Sequence, residues 1–344
     1  MRTTTPSVFI RGIGSYAPDR ILSNNELSTI VETSDEWIFT RSGIRERHVA
    51  APEETCADIA AQAARKAIEN AGLQPADIDL VIAATVSSES PVPSVACRVQ
   101  HALGIPAGTP AFDIAAACSG FVYLLQIASH MMRAGDYKNV LIVAAERLSG
   151  TVDWSDRTTC VLFGDGGGAA VLNKCDIPSV GILGNVLGGD GSKGNLLSVR
   201  PRPSPPPPPA GGLPTGTHVI SMSGKEIFRN AVRVMSQACR SVLEKCGISA
   251  EEIALIVPHQ ANIRIIEAIA GELKLPLDRF KINLERYGNT SAASIPLALD
   301  EAWREGRVRH GDLLLLVAFG GGFTWGATLV RWHAPDASAT PATA

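Results

Sequence analysis

The chain has 344 residues and a formal net charge of −3, with 45% hydrophobic and 19% charged residues. This is the make-up of an ordinary folded, water-soluble protein, one double-size domain or two. It gives no electrostatic footprint for nucleic acid, and no apolar run reaches the ~18 residues a membrane-spanning helix needs.

Met1-Arg2-Thr3-Thr4-Thr5-Pro6 lacks the apolar core of a signal peptide. Seven cysteines, an odd number without metal-type spacing, predict reduced thiols and a cytoplasmic protein. Val8 to Ile13 reads as a strand and Asn24-Asn25-Glu26-Leu27 as a capped helix start. In D-E-W-I-F-T-R, Trp37 and Arg41 stand four apart. They fit either a surface helix with one buried ring or an adenine clamp by stacking and cation–π contact. Glu54 to Ala71 is an amphipathic helix, Asp77 to Val86 a buried strand, Ser87 to Pro93 a loop and Ser94 to Leu103 a helix.

Pro110 to Phe121, P-A-F-D-I-A-A-A-C-S-G-F, then reads as strand, tight turn and helix, with Cys118 at the turn. Its small residues let the backbone turn and a substrate approach. A thiol at a helix N-terminus meets unpaired N–H groups and the positive end of the helix dipole, so a thiolate is expected. The alternative is a small buried hydrophobe. Val140 to Ala145 is another buried strand. The glycines of 164–168 fit no phosphate-loop spacing and read as places where other backbone approaches. Arg200 to Gly216, R-P-R-P-S-P-P-P-P-P-A-G-G-L-P-T-G, reads as an exposed loop.

The second half repeats the first. Ala71 to Ile82 aligns without gaps on Cys246 to Val257. Phe112-Asp113-Ile114 matches Ile282-Asn283-Leu284, which equates the Cys118 turn with the Asn289 turn. Val140–Ala144 matches Asp312–Val317, and the glycines of 164–168 match those of 320–326. Two copies of one α/β unit are expected: 1–175, a connecting and Pro-rich region 176–216, a second half 217–334 and a tail 335–344. Two such sheets sharing a helix layer make a five-layered α/β/α/β/α body, which brings Cys118, His259 and Asn289 together.

D-E-W-I, T-R-S-G-I-R-E-R-H, A-A-A-C-S-G-F, V-P-H-Q-A-N, G-N-T-S-A-A-S-I-P and A-F-G-G-G-F-T-W-G occur in this order. Together they resemble the β-ketoacyl-ACP synthase III family of thiolase-fold condensing enzymes, from about Val8 to Trp332. The resemblance implies a Cys118–His259–Asn289 triad. Acyl-CoA acylates Cys118; His259 and Asn289 bind the thioester carbonyl of malonyl-ACP and stabilise the enolate formed on decarboxylation; the carbanion takes the acyl group in a ping-pong reaction. It implies an oxyanion hole from the N–H groups of Cys118 and Gly321. Trp37, Arg41 and Arg157 stand at the adenine, and Thr33, Met222, Gly224, Phe228, Ala261, Asn262 and Phe319 along the pantetheine channel. Gln260, Ala261, Asn262, Ile263 and Arg264, helped by Arg229, meet the acidic carrier protein. No cofactor or metal is implied, acyl-CoA and malonyl-ACP being substrates, and a homodimer is expected.

The chain departs from some members in three places. Val92 stands where some carry a Phe that plugs the acyl pocket across the dimer interface, so primers longer than acetyl are expected to fit. Gly271-Glu272 replace a Lys pair, and the proline loop is longer. His259 alone also fits a satisfied core histidine, Asn289 between Gly288 and Thr290 an ordinary turn, and Met222 and Phe228 plain core. Three other readings compete with fatty-acid initiation: a condensing enzyme of secondary metabolism, a non-catalytic partner subunit, and a cysteine hydrolase. A degradative thiolase needs a second active-site Cys that G-G-G-F-T-W lacks.

Overall fold

A computed structural model describes residues 6–135, 137–202 and 210–333; the tail 335–344 and the proline run 203–209 lie outside them. In chain order, β1 (Ser7–Tyr16) precedes a hairpin of β2 (Arg20–Ser23) and β3 (Glu46–Val49), whose connection carries α1 (Asn24–Leu27) and α2 (Asp35–Ser42). Next come α3 (Cys56–Asn70), β4 (Leu80–Ala84), α4 (Val95–Leu103), β5 (Ala111–Ile114), α5 (Gly120–Ala134), β6 (Asn139–Glu146) and β7 (Gly166–Cys175). Then follow β8 (Gly181–Gly189), a ribbon of β9 (Leu197–Pro201) and β10 (His218–Met222), α6 (Gly224–Cys246), β11 (Leu255–Pro258) and α7 (Ile263–Leu273). The last elements are α8 (Leu284–Tyr287), α9 (Ser294–Arg304), β12 (Leu313–Gly320) and β13 (Thr324–Arg331).

β4, β6 and β12 are apolar at almost every position, which suits strands covered on both faces. Successive side chains point to opposite faces. Leu80, Ile82 and Ala84 accordingly enter one core, and Val81 and Ala83 another. Leu314, Leu316 and Ala318 of β12 join the first of these, while Leu313, Leu315 and Val317 enter a third. The shared core holds Phe121, Leu124 and Leu125 of α5 with Ile295, Ala298 and Leu299 of α9. α3 and α4 cover the outside of one sheet, and α6 and α7 the outside of the other. This is the five-layered α/β/α/β/α body expected from the sequence.

The sheets run β1-β7-β6-β4-β5 and β8-β13-β12-β11. Position by position the pairing agrees: antiparallel, antiparallel, then parallel. The gapless repeat holds in structure. Gly72 and Gly247 both end a helix at φ 65°, capping boxes follow at Gln74–Asp77 and Ser249–Glu252, and the strands begin at Leu80 and Leu255. Only a glycine reaches that backbone without a Cβ penalty. The counterpart of β5 shrinks to a bridge between Ile256 and Phe280. Because Val81 pairs with Ala111 as Ile256 pairs with Phe280, the match of Phe112 to Ile282 is one residue out of step.

β8 falls inside the stretch read as a connector, yet pairs with β13 as the edge of the second sheet. Arg200 and Pro201, read as loop, lie in the two-stranded ribbon. The glycines of β7 do meet other backbone: a Cβ on Gly167 would stand 2.9 Å from the Ile59 carbonyl of α3, and one on Gly168 3.0 Å from the Leu297 nitrogen of α9. Among the described residues no helix is long and apolar enough to cross a membrane.

Candidate active site

β5 leads through Ala117, held at φ 45°, into a short 3-10 turn, Ala117–Ser119, and α5 begins at Gly120. Two bonds stitch this elbow to the start of β13: Thr324 Oγ1 donates to the Ala116 carbonyl at 2.8 Å, and Ser119 Oγ donates to the Thr324 carbonyl at 3.0 Å. The end of β12 sits equally close, since a Cβ on Gly320 would come within 2.6 Å of the Cys118 nitrogen. Gly321 is the next residue. Cys118 at the apex is 8% exposed. Burial pushes its thiol up to about 12, against a smaller opposing pull from a hydrogen bond with Ser291. Burial thus works against the thiolate expected from the helix N-terminus.

His259 follows β11, and its N–H donates to the Val317 carbonyl of β12 at 2.8 Å. Its Nδ1 lies 2.7 Å from Ser294 Oγ. Burial holds the imidazolium down at about 3, so the ring is neutral near pH 7. Asn289 is fixed as a strand residue would be: its N–H donates to Leu162 at 2.8 Å and its carbonyl accepts from Gly164 N–H at 3.1 Å. Its side-chain Oδ1 accepts from Ser291 N–H at 2.8 Å, which leaves the NH₂ for the cavity.

The segment after Asn289 is a second elbow. Ser291 has φ 48° where Ala117 has 45°. Thr290 (−95°, 25°) parallels Ala116 (−132°, 23°), and Ser294 (−62°, −40°) parallels Gly120 (−50°, −44°). The residue equivalent to Cys118 is thus Ala292. The sequence reading equated the right turns, and Asn289 lies three residues before the apex of its own.

Three buried polar residues beside this site escaped the sequence reading. Glu146, at the buried end of β6, accepts from Ser87 Oγ at 2.5 Å, Val86 N–H at 3.1 Å and Thr85 Oγ1 at 3.2 Å, and from Ser291 Oγ at 3.0 Å. Burial raises it to about 6 against these bonds. Its signal is a lone carboxylate closing an apolar run, V-L-I-V-A-A-E, which needs buried partners. Ser291 and Ser294 are signalled by their spacing of three at a helix start.

Cys118, His259 and Asn289 line one cavity of about 740 Å³. Its wall continues over Phe319, Met222 and Phe228 to Trp37, which α2 presents because Ser34 Oγ caps the helix by accepting from Trp37 N–H at 3.1 Å. The guanidinium carbons of Arg41 and Arg157 lie 4.5 and 5.2 Å from the Trp37 ring centroid. Gly224, Ala261, Asn262, Arg264 and Arg229 also border the cavity, as does Lys225, which the sequence reading did not name. Thr33, Gly321, Ile263 and Val92 are not among its lining residues; Val92 stands 81% exposed on the loop before α4. Gln260, read as a carrier-protein contact, is 1% exposed. Its amide donates to the Pro258 and Lys281 carbonyls and accepts from Asn283 N–H, so it knits the core and meets no docking partner.

Comparison with known proteins places the chain among relatives of this design. Residues 112–191 match the family 3-oxoacyl-[acyl-carrier-protein (ACP)] synthase III, and residues 243–332 match its C-terminal region. A β-ketoacyl-[acyl-carrier-protein] synthase III from Caldanaerobacter subterraneus subsp. tengcongensis is 48% identical over 94% of this chain and 97% of its own length. The crystal structure of 3-oxoacyl-[acyl-carrier-protein] synthase III from Aquifex aeolicus superposes with a TM-score of 0.87 at 48% identity, covering 95% of this chain and 100% of its own. The priming β-ketosynthase of the R1128 polyketide pathway superposes with a TM-score of 0.87 at 36% identity, covering 98% and 99%.

Proposed function

From the premise that the chain belongs to the β-ketoacyl-[acyl-carrier-protein] synthase III family, we propose that it condenses a CoA-linked acyl primer with malonyl-ACP, giving β-ketoacyl-ACP, CoA and CO₂, and so initiates fatty-acid synthesis. The observation that carries this reading is the convergence of Cys118, His259 and Asn289, from three separate segments, on one cavity that reaches the Trp37–Arg41–Arg157 cluster.

In this reading the Cys118 thiol attacks the acyl-CoA carbonyl. The thioester bond to CoA breaks, and the proton lost by the thiol ends on the CoA sulfur. Burial disfavours the free thiolate, so in this reading the proton leaves as the sulfur attacks. The N–H groups of Cys118 and Gly321 hold the tetrahedral oxyanion. Malonyl-ACP then loses CO₂, and the charge left on its thioester oxygen meets two donors, neutral His259 and the Asn289 NH₂. Fixed donors in a water-poor site stabilise that enolate without solvent reorganisation. Its carbon attacks the acyl-cysteine, β-ketoacyl-ACP leaves, and the released thiolate takes a proton from water.

The cations bordering the cavity, Arg229, Arg264 and Lys225, suit an acidic carrier protein. All seven cysteines are unpaired, in keeping with the cytoplasm. A homodimer belongs to the same reading: Val92 and Phe112, the latter on edge strand β5, are exposed apolar residues that a second copy would cover. A second reading, a priming enzyme for longer or branched primers, is favoured by Val92. The test is product formation from malonyl-ACP with acyl-CoAs from acetyl to dodecanoyl, and branched ones. Acetoacetyl-ACP from acetyl-CoA is the expected result; faster turnover of longer chains gives the second reading, and no β-ketoacyl-ACP from any primer rejects both.

A further inference from the structure

The neutral His259 ring exists in two tautomers, and only the one with its proton on Nε2 donates into the cavity. Nδ1 is taken up by Ser294 Oγ at 2.7 Å, so Nε2 is the nitrogen left for the cavity that His259 lines. The Ser294 oxygen also accepts from Gln260 N–H at 3.4 Å. Among the described residues its hydroxyl has no other partner, and the residue is buried.

Two arrangements satisfy the 2.7 Å contact. If Nδ1–H donated to Ser294, the oxygen would accept twice and its own hydrogen would be buried without an acceptor. If Ser294 donates to Nδ1, both groups are satisfied. Leaving a buried donor unpaired is the costly case, so the second arrangement is favoured. The histidine's second nitrogen sets the tautomer of the first.

Resting on the condensing reading above, we infer that Ser294 is a positioning residue: it donates to Nδ1 of His259 and so places the ring proton on Nε2, aimed at the malonyl thioester oxygen. Ser294 occupies in the second elbow the place of Gly120 in the first. With Ser291 N–H orienting the Asn289 amide, the second elbow orients both candidate donors, one through its backbone and one through a hydroxyl.

The test has two arms. Ring-¹⁵N histidine spectra of the whole protein, with His259 assigned against His259→Ala, read the tautomer directly and need no activity. The expected result is a protonated Nε2 and a lone pair on Nδ1; a proton on Nδ1 overturns the inference. In the second arm, Ser294→Ala is expected to lower kcat for malonyl-ACP decarboxylation roughly ten- to a hundredfold, less than the 10²–10³ of deleting an oxyanion donor. Its Cys118 acylation rate should stay within about twofold of wild type, the hydroxyl-retaining Ser294→Thr should keep most of the activity, and the His259 signal of Ser294→Ala should shift toward the other tautomer. Unchanged decarboxylation in Ser294→Ala overturns the inference. If the wild type neither acylates nor decarboxylates, the condensing reading falls, while the spectra still decide which ring nitrogen of His259 carries the proton. If Ser294→Ala does not fold, the wild-type spectrum decides alone.

Discussion

The two elbows share a backbone and differ in their side chains. Ala117–Gly120 and Ser291–Ser294 each turn through a positive φ into a helix of the central layer. They also touch: a Cβ on Gly120 would stand 2.7 Å from Ala84 Cβ and 3.0 Å from Ala292 Cβ. The first carries a thiol at its apex. The second carries alanine there, and its polar atoms face sideways, toward Asn289, His259 and Glu146. In the proposed reaction, duplication supplies one position for bond making and one for holding donors. A symmetric fold thus yields an asymmetric site because the same backbone leaves each half free to choose its side chains.

If that division is right, removing the thiol and removing a donor have different consequences. Cys118→Ala should abolish the acyl-enzyme and all condensation, leaving some malonyl decarboxylation, as read by carrier-protein mass spectra. His259→Ala and Asn289→Ala should still acylate Cys118 but lose decarboxylation by roughly 10²–10³ each; normal condensation in either takes that residue out of the scheme. A smaller effect separates Glu146 from both elbows. Its carboxyl is raised from 4.5 to about 6. Between those values the folded protein holds a proton that the unfolded chain has lost, so this group costs nothing below about 4.5 and its full penalty above about 6. The size is about 2 kcal/mol for ~1.5 pKa units. Denaturant titration should show Glu146→Gln without that part of the slope; identical pH profiles would place the charge elsewhere. Gly120→Ala crowds the contact between the elbows and should lower stability by about 1–3 kcal/mol; a neutral result would mean the two can separate without loss.

Much of this was legible in the sequence, for identifiable reasons. The gapless match of Ala71–Ile82 to Cys246–Val257 carried helix end, cap and strand start together, and all three recur in place. The turn at Cys118 was legible because small residues and an apolar run announce it. The register beyond was not, because the second half replaces β5 by a single bridge and inserts α8 before its elbow, so counting from one motif to the next slips. Gln260 was misplaced because neighbours in Q-A-N share a motif and not a direction. The burial of Cys118 was not legible, because a helix dipole can be read locally whereas burial depends on covers from β12 and β13, two hundred residues away. Ser294 was quoted only inside a motif, since nothing local says that α9 begins beneath His259.

The most direct measurement is intact-protein mass spectrometry of the wild type and Cys118→Ala after mixing with acetyl-CoA and longer acyl-CoAs, followed by malonyl-ACP. One acyl mass gained on Cys118, absent from the variant and discharged by malonyl-ACP as β-ketoacyl-ACP, is the predicted result. A wild type that gains no acyl mass from any primer, or whose adduct survives malonyl-ACP, contradicts the account and leaves the partner-subunit reading in its place.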